Sequence, residues 1–212
     1  MHPTNLPQGL LPILDEAYAR QIASVEIIEA FLDAQVQPFI VSSRNMSMSQ
    51  YAEYIHAISL LKDEMDFEFI IHEHAHTVPV SGACGLHLTS KSLPFAEAKT
   101  YLNSQHLIGY SAHSLDDALM AENHGAHYII LGAIFPTPKE NPDHPVLGIT
   151  ELKKICRRVS LPVYAIGGIN AENLMQIKDA GAAGFCAMRA VYDNDQIEHN
   201  ITKLNIMWEE WD

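Results

Sequence analysis

The chain is short of positive charge. Thirteen lysines and arginines stand against 26 aspartates and glutamates in 212 residues, a formal net charge of −13. That balance repels phosphate backbones and anionic lipid surfaces, and no basic stripe runs along the sequence, so neither nucleic acid nor a membrane is an expected partner. Long apolar runs are missing as well. Nothing approaches the roughly 18 uninterrupted apolar residues of a membrane span, and Met1 to Leu10 puts no basic segment ahead of an apolar one, so a cytoplasmic location is expected. Cysteine is scarce. Cys84, Cys156 and Cys186 are odd in number and widely spaced, which argues for buried free thiols over disulfides or a thiolate metal site.

With 48% hydrophobic residues the chain can bury one substantial core, and a single domain over residues 1–212 is expected. Eight short apolar runs read as strands: Leu10–Leu14, Phe39–Ser43, Phe67–Ile71, Gly85–Leu88, Leu107–Tyr110, Tyr128–Leu131, Val163–Ile166 and Gly184–Met188. Between them lie segments of helical period, such as Met48–Leu61 and Leu115–Asn123, long enough for the crossovers that parallel neighbours need. Strand alternating with helix means a parallel α/β sheet, and eight units predict a (β/α)8 TIM barrel, somewhat shorter than the roughly 250 residues usual for one. Gly82-Ala83, Gly125-Ala126 and Gly181-Ala182 repeat one helix-to-strand corner. A doubly wound open sheet shows the same alternation, but it opens with a glycine-rich loop, and Leu14-Asp15-Glu16 contains no glycine.

In barrels the working groups follow the strands, so the residues after each run carry the information. Ala165-Ile166-Gly167-Gly168-Ile169-Asn170 precedes a helix expected over Glu172–Lys178, with Asn170 or its neighbour as cap. Paired glycines bring backbone N–H groups close to an anion, and a following helix favours negative charge there; the plainer reading is a tight turn. The segment Ala187-Met188-Arg189 ends the eighth run, where the second half of a phosphate cradle belongs. Ser111 and His113 share one face of the fifth run by its period of two, while Ser114 reads as a helix cap. His72, His74 and His76 alternate after the third run, with His87 and His127 elsewhere. They resemble half of a metal-dependent hydrolase site or, more simply, solvent-exposed loop histidines. No aspartate ends the eighth run to complete such a site; Arg189 stands there and would repel a cation. The proline-rich stretch from Phe135 to Pro145 reads as a lid, a ligand contact or a surface connection.

Taken together, Gly109-Tyr110-Ser111-Ala112-His113-Ser114, Gly125-Ala126-His127-Tyr128, Gly132-Ala133-Ile134-Phe135-Pro136-Thr137-Pro138 and Ala165-Ile166-Gly167-Gly168-Ile169 resemble the thiamin phosphate synthase family and its TenI-like thiazole tautomerase relatives. Order and spacing agree from about Phe39 to Val191. The resemblance implies a homodimeric barrel that binds a thiazole phosphate or thiamin phosphate. Gly167, Gly168 and the backbone near Met188 and Arg189 would hold the phosphate, with Thr137 and Ser111 lining the pocket. It further implies transferase chemistry that joins a pyrimidine methyl diphosphate to thiazole phosphate, with magnesium and basic residues holding the departing diphosphate.

Several positions depart from that pattern. The family's Arg-x-Lys falls on Arg44-Asn45-Met46, its Asn-Asp on His72-Glu73 and its second magnesium aspartate on Ser92. The Thr-Pro-Thr-Lys loop reads Thr137-Pro138-Lys139-Glu140, so Lys139 matches if one residue is deleted. The tautomerase histidine is Ala133, and a serine beside the phosphate is Arg189, which either pairs with phosphate or fills the site. Three expectations follow: a thiamin-pathway enzyme using Ser111 and His113, with Arg44, Thr137, Lys139, His72 and Glu73 around its ligand; a binding or regulatory protein of the same descent; and a metal-dependent barrel hydrolase built on the histidines. The residues themselves make no cofactor certain. Magnesium is implied by the resemblance alone, with an incomplete ligand set.

Overall fold

Strands buried on both faces read as continuous apolar runs, because helices cover one side of a parallel sheet and the barrel interior covers the other. The computed structural model describes residues 6–19, 22–42, 46–137 and 145–210 and contains nine such strands. They are β1 (Gly9–Leu10), β2 (Ile13–Leu14), β3 (Phe39–Val41), β4 (Phe69–His72), β5 (Gly85–Leu88), β6 (Leu107–Ala112), β7 (Tyr128–Gly132), β8 (Val163–Ile166) and β9 (Gly184–Cys186). All pair in parallel, in the order β1-β9-β8-β7-β6-β5-β4-β3-β2.

The ends of that order are two pieces of one extended stretch, so the sheet closes on itself as a TIM barrel. Leu11 N donates to Phe185 O at 2.9 Å on one side, and Ile40 N donates to Pro12 O at 2.9 Å on the other. The expected single run Leu10–Leu14 is divided because Pro12 has no N–H for a ladder. Elsewhere the runs shift by a few residues. Phe67 is buried ahead of β4 without entering it, and β6 continues to Ala112. β9 stops at Cys186, where Ala187 turns into a short helix over Met188–Val191.

The period of two separates two cores. Leu11, Ile40, Ile70, Leu107, Tyr128, Ile130, Tyr164 and Cys186 fill the barrel interior. Their chain neighbours, Phe39 and Val41, Phe69 and Ile71, Ile108 and Tyr110, Ile129 and Leu131, pack outward under the helices. Each fully buried aliphatic or aromatic side chain of this kind stabilises the fold by about 1.5–3 kcal/mol. The corner glycines Gly82, Gly125 and Gly181 all have positive φ, as the repeated Gly-Ala corners require. The helix Met48–Glu64 opens with a capping box: Ser47 Oγ accepts from Gln50 N, and Gln50 Oε1 accepts from Ser47 N.

The final helix, Ile197–Glu209, lays Ile197, Ile201, Leu204 and Trp208 over the closing seam, with the Trp208 ring 5.2 Å from that of Phe185. The cysteines are free thiols, Cys186 buried and the other two half-buried. No helix among the described residues is long and apolar enough to cross a membrane.

Candidate functional site

At the C-terminal end of β8 the chain passes through Gly167 (φ 100) and Gly168 (φ 66), a backbone that side chains rarely adopt. Space is restricted there too. A Cβ on Gly167 would meet Ala133 Cβ at 2.6 Å, and one on Gly168 would meet Pro136 O at 2.6 Å. The loop after β7 is laced onto this turn: Ile134 N donates to Ile166 O at 2.9 Å, and Phe135 N donates to Gly167 O at 3.0 Å. Asn173 Nδ2 ties down Gly168 O at 2.9 Å, and Asn170 Oδ1 accepts from Glu172 N at 2.8 Å. Asn170 thus stabilises a turn, and the helix starts later than expected, at Leu174–Asp179, because residues 170–173 spend their polar groups on that turn.

Ile166 is in register with Cys186, which sets Ala187 beside Gly167. Met188, half-buried, then opens the short helix. Arg189 is not a strand-end residue: it lies exposed on that helix.

Ser111 on β6 and His113, just past its end, reach opposite neighbours. Ser111 Oγ is 2.9 Å from His87 Nε2 on β5, and His113 Nδ1 is 2.6 Å from Gly132 O at the end of β7. A carbonyl only accepts, so His113 Nδ1 is the donor of this hydrogen bond. The backbone of His113 is fixed by Asp117 Oδ2, which accepts its N–H at 2.9 Å, while Ser114 Oγ accepts from Asp117 N and caps the helix Leu115–Asn123.

The histidines do not converge. His72 faces inward and stacks on His87, with centroids 5.9 Å apart and planes 12° apart. His74 packs on the Tyr51 ring at 4.4 Å, and His76 stands edge-on to His74 at 5.8 Å. Burial, then the neighbouring His76, pulls the His74 pKa below its ordinary value. His127 accepts from Ile108 N at the opposite end of the barrel. Among the described residues no three His, Cys, Asp or Glu side chains come together to hold a metal.

Glu73 (φ 68) accepts a hydrogen bond from the Thr89 hydroxyl, and Thr89 N donates to Ser92 Oγ at 2.8 Å. Ser92 therefore does join Glu73 around one turn, but as a hydroxyl already engaged with backbone. Met46 packs against the outer core. Thr137 is half-buried in the loop after β7, and Arg44 and Lys139 lie outside the described residues.

One member of the site escapes sequence reasoning. His87 reads as one more scattered histidine, yet it is wholly buried, with Nδ1 3.1 Å from Tyr128 Oη and Nε2 on Ser111. Burial, then the nearby His72, holds its pKa well below the ordinary imidazole value, so it is neutral. The signal was its position inside the run Gly85–Leu88, on the same alternation that turns Ser111 inward.

Comparison with known proteins gives a consistent result. A sequence model of the family described as thiamine monophosphate synthase matches residues 10–191. The thiamine-phosphate synthase of Caldicellulosiruptor bescii is 31% identical over 192 residues, covering 89% of this chain and 86% of that protein. Thiamine-phosphate synthase 2 of Streptococcus pneumoniae is 35% identical over 156 residues, covering 73% of each. Among solved structures, thiamine phosphate pyrophosphorylase from Pyrococcus furiosus superposes with a TM-score of 0.82 at 28% identity, covering 96% of both chains.

Proposed function

The chain belongs to the thiamine monophosphate synthase family, and from that premise we propose that its barrel mouth binds a phosphorylated thiazole or the thiamin phosphate formed from it. The observation that carries this reading is the Gly167-Gly168 turn, where missing side chains and left-handed backbone bring main-chain groups after β7 and β8 together. Gly167, Gly168 and the Met188 turn hold the phosphate. Arg189, being exposed, pairs with it from the solvent side. Ser111 donates a hydrogen bond from the interior face, and His113 Nε2 accepts a proton. Thr137 closes the pocket from the loop after β7.

The residues after β4 and β5 do not fit a two-carboxylate magnesium site, because Glu73 is held by a hydroxyl and its counterpart is Ser92. With Met46 in place of a lysine as well, less charge is available to stabilise a departing diphosphate, and that is usually the largest catalytic term. Synthase turnover is therefore slow, and the position of Ala133 argues against tautomerase chemistry by the histidine its relatives use.

Calorimetric titration with thiazole phosphate and with thiamin phosphate, each with and without magnesium, tests this reading, followed by a turnover assay with the pyrimidine methyl diphosphate. Binding that magnesium barely changes, with slow turnover, is the expected result. Binding with no turnover would identify a binding or regulatory protein of the same descent, and failure to bind either compound would overturn the assignment.

A further inference from the structure

His87, Gly109 and Tyr128 occupy one row of the barrel, since His87 is in register with Gly109 and Gly109 with Tyr128. The middle position has no side chain, and none fits: a Cβ there would lie 2.1 Å from Tyr128 Cζ and 2.5 Å from His87 Nδ1. The missing side chain is what lets the imidazole and the phenol meet across the intervening strand. One step nearer the mouth on β6 stands Ser111, in contact with the other ring nitrogen.

The direction of each hydrogen bond in this chain follows from counting protons. Tyr128 is fully buried among apolar side chains, and its hydroxyl has His87 Nδ1 as its one hydrogen-bond partner among the described residues. A buried phenol has one proton to donate, and leaving it undonated in an apolar interior is unfavourable. A neutral imidazole has one donor and one acceptor, so if Nδ1 accepts from the phenol, Nε2 carries the hydrogen. Ser111 Oγ then accepts from Nε2–H, and its own proton turns toward the mouth. The opposite tautomer would draw the serine proton inward and present only lone pairs to an anion.

We propose that His87 is a positioning residue, locked by Tyr128 as the Nε2–H tautomer, that aims the Ser111 hydroxyl proton at an anionic group of the ligand. The ligand part of this statement rests on the function proposed above, and the tautomer part does not. Long-range proton–nitrogen NMR of the full chain labelled with 15N-histidine reads the tautomer directly. A bare Nδ1 and protonated Nε2 at His87 near neutral pH is the expected pattern, and a protonated Nδ1 overturns the proposal.

Inorganic pyrophosphate is the probe for the second half. Ser111→Ala and His87→Leu should each weaken its binding by about tenfold or more, and the double variant should lose no more than either alone. His87→Gln, whose amide N–H can still reach Ser111, should recover part of the loss. Tyr128→Phe should shift the His87 nitrogen signals toward a tautomer mixture. Unchanged pyrophosphate affinity in a folded His87→Leu protein beside a weakened Ser111→Ala protein overturns the positioning role. If Ser111→Ala also binds unchanged, the ligand reading of Ser111 fails, and the NMR pattern alone decides the tautomer.

Discussion

A histidine sealed inside a barrel makes stability depend on acidity. The unfolded His87 has an ordinary pKa of about 6.5, whereas burial holds the folded one well below it. Above pH 6.5 both states are neutral and the fold is unaffected. Below it the unfolded chain takes up a proton that the folded chain refuses, so stability falls, by up to about 1.4 kcal/mol per pH unit, until the folded pKa is reached. His74 and His106, also lowered by burial, act in the same direction. Urea unfolding midpoints should therefore drop between pH 7 and pH 5, and His87→Gln should flatten that slope; an equal slope in the variant would remove His87 as its source. At this scale the sequence is partly legible. Ser111 and His113 declare themselves by following an apolar run, but the role of His87 depends on the register of β5, β6 and β7, which no local pattern states.

Between residue and molecule, the elements around the mouth hold one another in shape. Gly167 and Gly168 are legible as an unusual pair, yet their need for small size comes from Ala133, Phe135 and Pro136, which lie far away in sequence. Gly167→Ala must accommodate both a left-handed backbone and a contact at 2.6 Å, a combined penalty of about 2–5 kcal/mol. For a chain of this size that lowers the melting temperature by roughly 2–4 °C per kcal/mol, and calorimetry should show thiazole phosphate binding lost with it. A variant with wild-type melting temperature and affinity would show that the loop after β7 moves aside at no cost. The end of β9 was harder to read, because Ala187 and Met188 are as apolar as a strand. They leave the sheet when Val191 N bonds back to Ala187 O and Tyr192 N to Met188 O, and that bonding is what puts Arg189 in solvent.

The whole molecule carries its acidity to every encounter. A net charge of −13 repels a phosphorylated ligand at long range, and salt screens repulsion beyond about 10 Å at 0.1 M. Stopped-flow association rates for thiazole phosphate should rise with ionic strength, and a rate that falls with salt would reveal a basic funnel at the mouth that outweighs the net charge. The alternation of strand and helix made the barrel legible, but not the final helix, whose role appears only once Trp208 meets Phe185. Trp208→Ala should cost about 3–5 kcal/mol, read as a lower urea midpoint. Because the first extended stretch pairs through β1 with β9 and through β2 with β3, the barrel cannot close until Gly184–Cys186 has left the ribosome. A nascent chain stalled before Gly184 holds Leu10 and Leu11 without their partners, so the edge of β1 that will become the seam stays open to other chains until then.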